Sequence, residues 1–502
     1  MKKTLFSHTS KDFRKSALLA SLFFLTLVSW GISSPINTAP DEIYHIGEIW
    51  CNNVDVSKCN LIEQESDHQS TDLAASGKFL LNLCPPARED WNIDKGNYPL
   101  VALETNACRT ANGEFTKKFG SADISYHKIL AKFINNDSAR SIIILRVLNS
   151  LLASCLFFLF YFTANNKVSK PVILSILFTL IPQGLFTGSS LNPSSWSYFG
   201  VTFSWAFLYS IIVSRNSQKT HAALSLFGFL VSSVMVLSSR MDGRFYLVLS
   251  ILTIILISEK LCFSGTYKKI AFTISFLLIF KNVRGNIHII QPLRESIQNF
   301  STLSDLILLI GNSIKVTFAI PLRLFGLEAS GWLGINVPKI VVLTNLVALT
   351  MTYCYAYDKE NLRQKKLTLL ILFEFFVIVF FANLIYPIWT APFYLIRTGW
   401  SGDYFQTRYF LPFLPLCFAM FLMSSNKPYL NTRPQKFVFI LLLSVGHLLS
   451  LYSVGYYFRN NKSWWWTDLV VNQSFVFAIG NVSFVGFLLI FLNVFGRKIT
   501  LD

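Results

Sequence analysis

The run Pro40-Asp41-Glu42-Ile43-Tyr44-His45 puts two carboxylates and an imidazole a few residues beyond an apolar stretch. On a helix, Asp41 and His45 would share one face at four-residue spacing. An acid beside a membrane surface has the chemistry of a general base toward an acceptor hydroxyl, or of a ligand for a divalent ion bridging a phosphate. The plainer role is a helix cap with solvated charge. Basic residues gather at the ends of other apolar runs. Arg240 and Arg244 flank a tight turn around Asp242, and Gln406-Thr407-Arg408-Tyr409 opens a further run. A guanidinium offers a phosphate paired hydrogen bonds, whereas snorkelling to headgroups or pairing with Asp403 needs no ligand. Arg146 and Asn149, three apart, form a possible polar lining, and Glu374 is an acid within an apolar run.

Composition identifies the scaffold that must position these groups. Only 14% of the 502 residues are charged, 52% are hydrophobic, and mean hydropathy is +0.46. Soluble proteins carry roughly 25% charged residues. Spans are expected at 17–36, 141–162, 171–188, 196–213, 221–238, 245–258, 269–281, 339–356, 369–386, 409–425, 437–456 and 473–495. That gives an all-α polytopic membrane protein of about twelve transmembrane helices, and a soluble enzyme is excluded. The sixth and seventh spans are short. The first reads as a retained helix rather than a cleaved signal, because the acidic run follows it directly. Residues 303–322 read as an interfacial or re-entrant helix, with a thirteenth span as the competitor.

The net charge of +17 is a topology signal. Lys and Arg concentrate in alternate connections, such as Arg363 with Lys365 and Lys366, and Lys427 with Arg433 and Lys436. The positive-inside rule places those connections and both termini in the cytoplasm. Anionic membrane lipids, not nucleic acid, are the partners of this charge. The chain then divides into a cytoplasmic N-terminus and first span (1–36), a large outer loop (37–140), spans two to seven (141–281), an outer segment with the interfacial helix (282–338) and spans eight to twelve (339–502).

The outer loop holds 15 of the 27 acidic residues and four of the eight cysteines, Cys51, Cys59, Cys84 and Cys108. An even number of cysteines on an exported segment predicts two disulfides, with three pairings open and sequence neighbours favoured. Cys155, Cys262, Cys354 and Cys417 read as packing residues in or beside spans. Residues 71–82 read as a short helix, and 97–114 as room for an extended pair. Residues 125–133 read as a juxtamembrane helix with Tyr126, Ile129, Leu130 and Phe133 on its apolar face and His127 at the surface. Trp464-Trp465-Trp466 reads as an interface belt or a stacking platform for a sugar. No phosphate loop, Rossmann fingerprint or zinc spacing is present, so no nucleotide cofactor is expected.

Several short motifs in order resemble a family of bacterial membrane proteins, the domain of unknown function 2142. They are Pro40-Asp41-Glu42 with His45, Leu145-Arg146-Val147-Leu148-Asn149, Asn192-Pro193, Gly331-Trp332-Leu333 with Pro338, and Arg408-Tyr409-Phe410-Leu411-Pro412. That family resembles the GT-C membrane glycosyltransferases. The resemblance implies a GT-C-like bundle in a bacterial inner (cytoplasmic) membrane, working on the extracytoplasmic side. It implies a polyprenyl-phosphate-linked sugar as donor and a glycan or glycolipid as acceptor. Asp41, with Glu42 and His45, would be catalytic. Arg240, Arg244, Arg408, Tyr409, Gln406, Trp332, Arg146 and Asn149 would bind substrate, and Mg2+ or Mn2+ would be held by Asp41 if an ion is used. Two positions depart from the family pattern: Gly334 and Ser194 stand where an Asp is common.

Competing functions are a flippase or transporter for a lipid-linked glycan, which calls for broken helices and mid-depth polar groups, and a polysaccharide polymerase or ligase. The cysteine reading yields a direct expectation. Non-reduced peptide mapping of the mature protein should find Cys51, Cys59, Cys84 and Cys108 in two disulfides, and losing one should cost about 2–5 kcal/mol of local stability.

Overall fold

The computed structural model describes residues 2–34, 42, 45, 46, 49, 52, 59–63, 71–76, 114–118, 125–134, 138–213, 219–257, 266–285, 307, 310, 311, 314, 338–358, 360–362, 364–370, 373, 374, 376, 410–425, 430, 432–461 and 473–495. The first helix, α1, runs Lys2–Ser33. After the outer segment come α2 (Ser125–Ala131) and α3 (Ser138–Thr163). Next, α4 (Asn166–Thr179) and α5 (Leu185–Gly188) are separated by a wide turn at Leu180–Gly184. Then follow α6 (Ser194–Val213), α7 (Lys219–Leu237), α8 (Met241–Ile257) and α9 (Thr266–Gly285). Later in the chain are α10 (Lys339–Ala356), α11 (Leu414–Ser424), α12 (Arg433–Asn461) and α13 (Gln473–Phe495).

Eight helices among the described residues are long and apolar enough to cross a membrane, so the chain is a multi-pass α-helical membrane protein. They correspond to spans one to five, eight, eleven and twelve of the sequence reading. Of the other four, α8 has 17 residues and α11 has 11. Helix α9 carries Lys268, Lys269, Lys281 and Arg284, and most of 369–386 lies outside the described residues. Most of 303–322 lies outside them as well.

Within the span comprising α4 and α5, Asn166–Gly188, every residue from Pro171 onward is buried, so it is the central element. Its sequence explains this: beyond Lys170 no charged residue interrupts it, and a helix apolar on all sides belongs inside a bundle. Asn165 caps its start by accepting the Val168 N–H at 3.1 Å. Pro182 breaks it. Proline lacks an N–H and drives the preceding residue out of the helical region, and Ile181 accordingly sits at φ −104°, ψ 123°. Around this centre, α4 packs on α11, α6 on α7 and α8, and α10 on α12.

Helix α1 is an integral wall of the bundle, lying between α3 and α13. Phe23 stacks on Phe157 of α3 at 4.7 Å, and Ser483 of α13 donates to the Thr26 carbonyl at 2.7 Å. A Cβ on Gly486 would lie 2.6 Å from Thr26 Oγ1 and 2.9 Å from the Leu22 carbonyl, so only glycine permits this approach.

The outer segment is not wholly helical. Strands β1 (Cys59–Glu63), β2 (Thr71–Ser76) and β3 (Glu114–Lys118) form an antiparallel sheet in the order β1-β2-β3, with Leu73 opposite Leu61 and Lys117. This corrects the helix expected at 71–82, at least through Ser76. A six-residue Ala-containing run has only weak helical preference, and two flanking ladders outweigh it. Cys59 opens β1; Cys51, Cys84 and Cys108 lie outside the described residues. Cys417 is buried as expected of a packing residue, whereas Cys155 and Cys354 are exposed on their helices.

The glycine contact predicts a specific weakness. Gly486→Val should force α1 and α13 apart and destabilise the protein by about 1–3 kcal/mol, as overpacking does. Thermal unfolding in detergent would measure it, with exposed Val485→Ala as the comparison near wild type.

Candidate functional site

One end of the bundle gathers the last turn of α1, the first turns of α3 and α6, the 189–193 connection and the turn between α7 and α8. The organising contact is between Glu42, fully buried, and Arg146, 2% exposed. Arg146 sits about two turns into apolar α3, where a lone guanidinium would be strongly disfavoured. Its Nη2 donates to Glu42 Oε2 at 2.8 Å and its Nε to Oε1 at 3.1 Å, a bidentate pair. Its Nη1 donates to the carbonyls of Gly31 and Ser34, closing the carboxyl end of α1. Glu42 Oε1 also accepts the Leu191 N–H at 2.9 Å. Three chain segments are thereby fastened to one ion pair.

A second layer lies beside it, one turn along α3. Asn149 Nδ2 donates to Tyr126 Oη at 3.1 Å and to the Ser190 carbonyl at 2.9 Å, while its Oδ1 accepts Trp196 Nε1–H at 3.0 Å. Tyr126 meets Trp196 edge-on at 4.9 Å, and its N–H donates to the Ser238 carbonyl. Burial pushes the Tyr126 phenol well above its ordinary pKa, so it stays protonated. His45 Nδ1 lies 3.1 Å from His127 Nε2, with ring planes inclined by only 23°. One ring donates to the other nearly in plane, which ties the first outer segment to α2.

His127 corrects an expectation: it is 3% exposed rather than at the surface, and α2 buries Tyr126, His127, Leu130 and Ala131. Ile129 and Phe133 are exposed. The helix turns its polar histidine inward because His45 supplies a partner there.

The α7–α8 turn packs onto the same end. Ser197 and Ser239 hydroxyls meet at 2.8 Å, and a Cβ on Gly243 would fall 2.4 Å from Ser197 Oγ. Arg244 Nη2 donates to the Leu237 carbonyl at 2.7 Å, closing α7, while its buried Nε has no hydrogen-bond partner among the described residues. Arg240 pairs with Asp242 at 3.4 Å, both about a quarter exposed. Tyr246 packs on Phe410 and Phe413 at ring distances of 6.4 and 6.0 Å, so the end of the Arg408–Pro412 motif meets α8 here. Asp41, Trp332, Gln406, Arg408 and Tyr409 lie outside the described residues.

The structure thus brings Glu42, His45, Arg146 and Asn149 together and sets Arg240 and Arg244 on a neighbouring turn. Tyr126, Trp196 and the Leu191 N–H complete the cluster without having been singled out as site residues. Trp196 carried a sequence signal, as an indole at the start of an apolar span three residues past Asn-Pro; the Leu191 amide carried none. Glu374 reaches inward, accepting from Thr253 at 3.1 and 3.2 Å. Among the described residues no three His, Cys, Asp or Glu side chains gather in metal-binding reach. Glu42 has both oxygens engaged within the protein.

Fold and cluster define a polytopic helical membrane protein with a buried ion pair and its hydrogen-bond network at one end of the bundle. Residues 23–417, from within α1 to within α11, match a family described as predicted membrane protein (DUF2142), and the chain belongs to that family. No curated protein and no solved structure matches the chain.

The ion pair generates a test of what holds this end together. Glu42→Gln or Arg146→Met alone should destabilise by about 3–5 kcal/mol, because each leaves a buried group uncompensated. The double variant Glu42→Met, Arg146→Met should recover most of that loss, read as melting temperature in detergent.

Proposed function

We propose that the protein is a glycosyltransferase that moves a sugar from a polyprenyl-phosphate-linked donor to a cell-envelope glycan or glycolipid on the extracytoplasmic face. The observation that carries this reading is the cluster at one bundle end, opposite the lysine- and arginine-rich connections. Positive-inside bias puts that end outside and both termini in the cytoplasm. A donor already activated by phosphate needs no nucleotide loop, and an outer site next to lipid suits a lipid-linked sugar.

In this reading the cluster divides its work. Arg146 and Asn149 spend their donors within the protein, so they position the site rather than hold substrate. Glu42 is likewise an anchor. Asp41, its sequence neighbour, is the proposed base: its carboxylate takes the proton of the acceptor hydroxyl as that oxygen bonds the anomeric carbon. The bond from that carbon to the phosphate oxygen breaks, and the phosphate departs with the electron pair. Arg408, with Arg244 and Arg240, neutralises the charge developing on it. Tyr409, Gln406 and Trp332 are proposed to contact the donor, and His45 to hold the acidic segment through His127.

A second reading, a flippase for the same lipid-linked class, is favoured by one observation: α4 is broken within the membrane, as transporter helices often are. Purified protein in vesicles separates the two. Sugar transfer from a polyprenyl phosphate donor supports the first, and movement of the lipid between leaflets without transfer supports the second.

The residue test is Asp41→Asn. It retains shape while removing basicity, so transfer should fall by at least ~100-fold with expression and melting temperature unchanged. Chelator treatment followed by Mg2+ or Mn2+ in the same assay reports whether Asp41 works through an ion. Near-wild-type turnover in Asp41→Asn would remove the proposed base.

A further inference from the structure

Inside the bundle, the break in α4 is faced by buried polar groups that the outer cluster does not use. Helix α12 supplies His447 and α10 supplies Asn345, both fully buried; α1 supplies Trp30, and α5 supplies Thr187 at 2% exposure. Asn345 Nδ2 donates at 3.2 Å to the Ile181 carbonyl, at the residue that leaves the helix. Its Oδ1 lies 3.3 Å from where a Cβ on Gly446 would stand, beside His447. Trp30 packs perpendicular to His447 with ring centroids 5.5 Å apart, and to Phe186, next to Thr187, at 5.2 Å.

Hydrogen-bond logic fixes the His447 tautomer. Ser483 gives its hydroxyl hydrogen to the Thr26 carbonyl, so toward His447 Nε2, 3.3 Å away, it can only accept. The neutral ring therefore carries its hydrogen on Nε2 and presents a lone pair at Nδ1. Among the described residues, that nitrogen, Asn345 Oδ1, Trp30 Nε1–H and Thr187 Oγ1 have no hydrogen-bond partner. Buried polar atoms are normally satisfied, and non-helical backbone at membrane depth belongs beside protein or a polar cavity. Two acceptors, one donor and one hydroxyl, with no formal charge, suit neither a phosphate nor a carboxylate. They suit a neutral group that both donates and accepts.

We propose that this layer is an intramembrane site for a hydroxyl-bearing ligand, with His447 Nδ1 as its hydrogen-bond acceptor and Trp30 Nε1 as a donor. The hydroxyl has two possible sources, water or a lipid-linked sugar. The site itself and the water alternative stand apart from the proposed function, whereas the sugar alternative rests on it. Helix α5 leads from it to Leu191, whose N–H binds Glu42, so a ligand here bears on the segment that fastens the outer cluster.

Solid-state nitrogen NMR on the full chain in phosphatidylglycerol vesicles tests this. Gly-His occurs once among the seven histidines, at Gly446-His447, so carbonyl-labelled glycine with nitrogen-labelled histidine assigns the ring without a substitution. A hydrogen-bonded Nδ1 lies upfield of a bare lone pair. An upfield Nδ1 in the protein alone, polarised from the water line, identifies water as the ligand. An upfield shift that arises only on adding a polyprenyl phosphate hexose identifies the sugar hydroxyl. Nδ1 at the bare position under both conditions, or a hydrogen on Nδ1 instead of Nε2, overturns the proposal.

Discussion

A guanidinium and a carboxylate buried at the end of a membrane bundle are tolerable only together. Glu42 and Arg146 are 104 positions apart, so their pairing is a long-range constraint set before any substrate arrives. Neither charge can leave without stranding the other. Because the same Arg146 closes α1 and the same Glu42 binds the Leu191 amide, the constraint extends to the central helix through α5. Asn149, one turn along α3, then inherits a fixed position from which it reaches Tyr126, Ser190 and Trp196. Removing water from this end strengthens each of these bonds, and that mutual dependence makes the cluster rigid.

The central span supplies the opposite quality. Beyond Lys170 it has no charge to hold it at a surface, and Pro182 denies it a continuous helix. The freed Ile181 carbonyl is met by Asn345 of α10, so the break is bound to a neighbour rather than left open. The same break shortens the outward-leading piece to α5, one turn joined to the 189–193 connection. The element that carries Leu191 to Glu42 is therefore short and bears on polar groups at both ends.

Much of this architecture was legible from residue types. Runs without charge marked the spans, and all eight membrane-length helices fall on expected spans. Arg146 and Asn149 stood out as polar residues at helical spacing inside an apolar run. Their partners were not legible, because nothing local links position 42 to position 146, or 149 to 126 and 196. The same limit hid the His45–His127 bond and put His127 at the surface on local pattern alone. At 71–76 the strand depends on neighbours 10 and 46 residues away across Asp72, whose ladder partners are Ile62 on one side and Lys118 on the other; with local propensity so flat, pairing decides. The intramembrane layer escaped notice for a different reason: tryptophan, asparagine, threonine and histidine scattered over four spans carry no spacing signal until the helices are packed.

The distribution of commitments within the acidic run narrows where its chemistry can reside. A carboxylate acts as a base through a lone pair aimed at the proton it takes. Both Glu42 oxygens already accept from Arg146, and one of them also accepts from the Leu191 amide. Drawing a proton onto Glu42 would require breaking the ion pair on which α1, α3 and the 189–193 connection all rest, so the residue is far better placed to hold than to react. Likewise Arg146, with its fork spent on Glu42 and two carbonyls, has little to offer a phosphate, whereas the buried Arg244 Nε has no acceptor among the described residues. An anchored pair beside the proposed base and the proposed phosphate-binding arginines is a sensible division of labour: the members that fix geometry are those removed from solvent, and in the proposed mechanism the reacting groups are their neighbours, Asp41 and the arginines of the later helices.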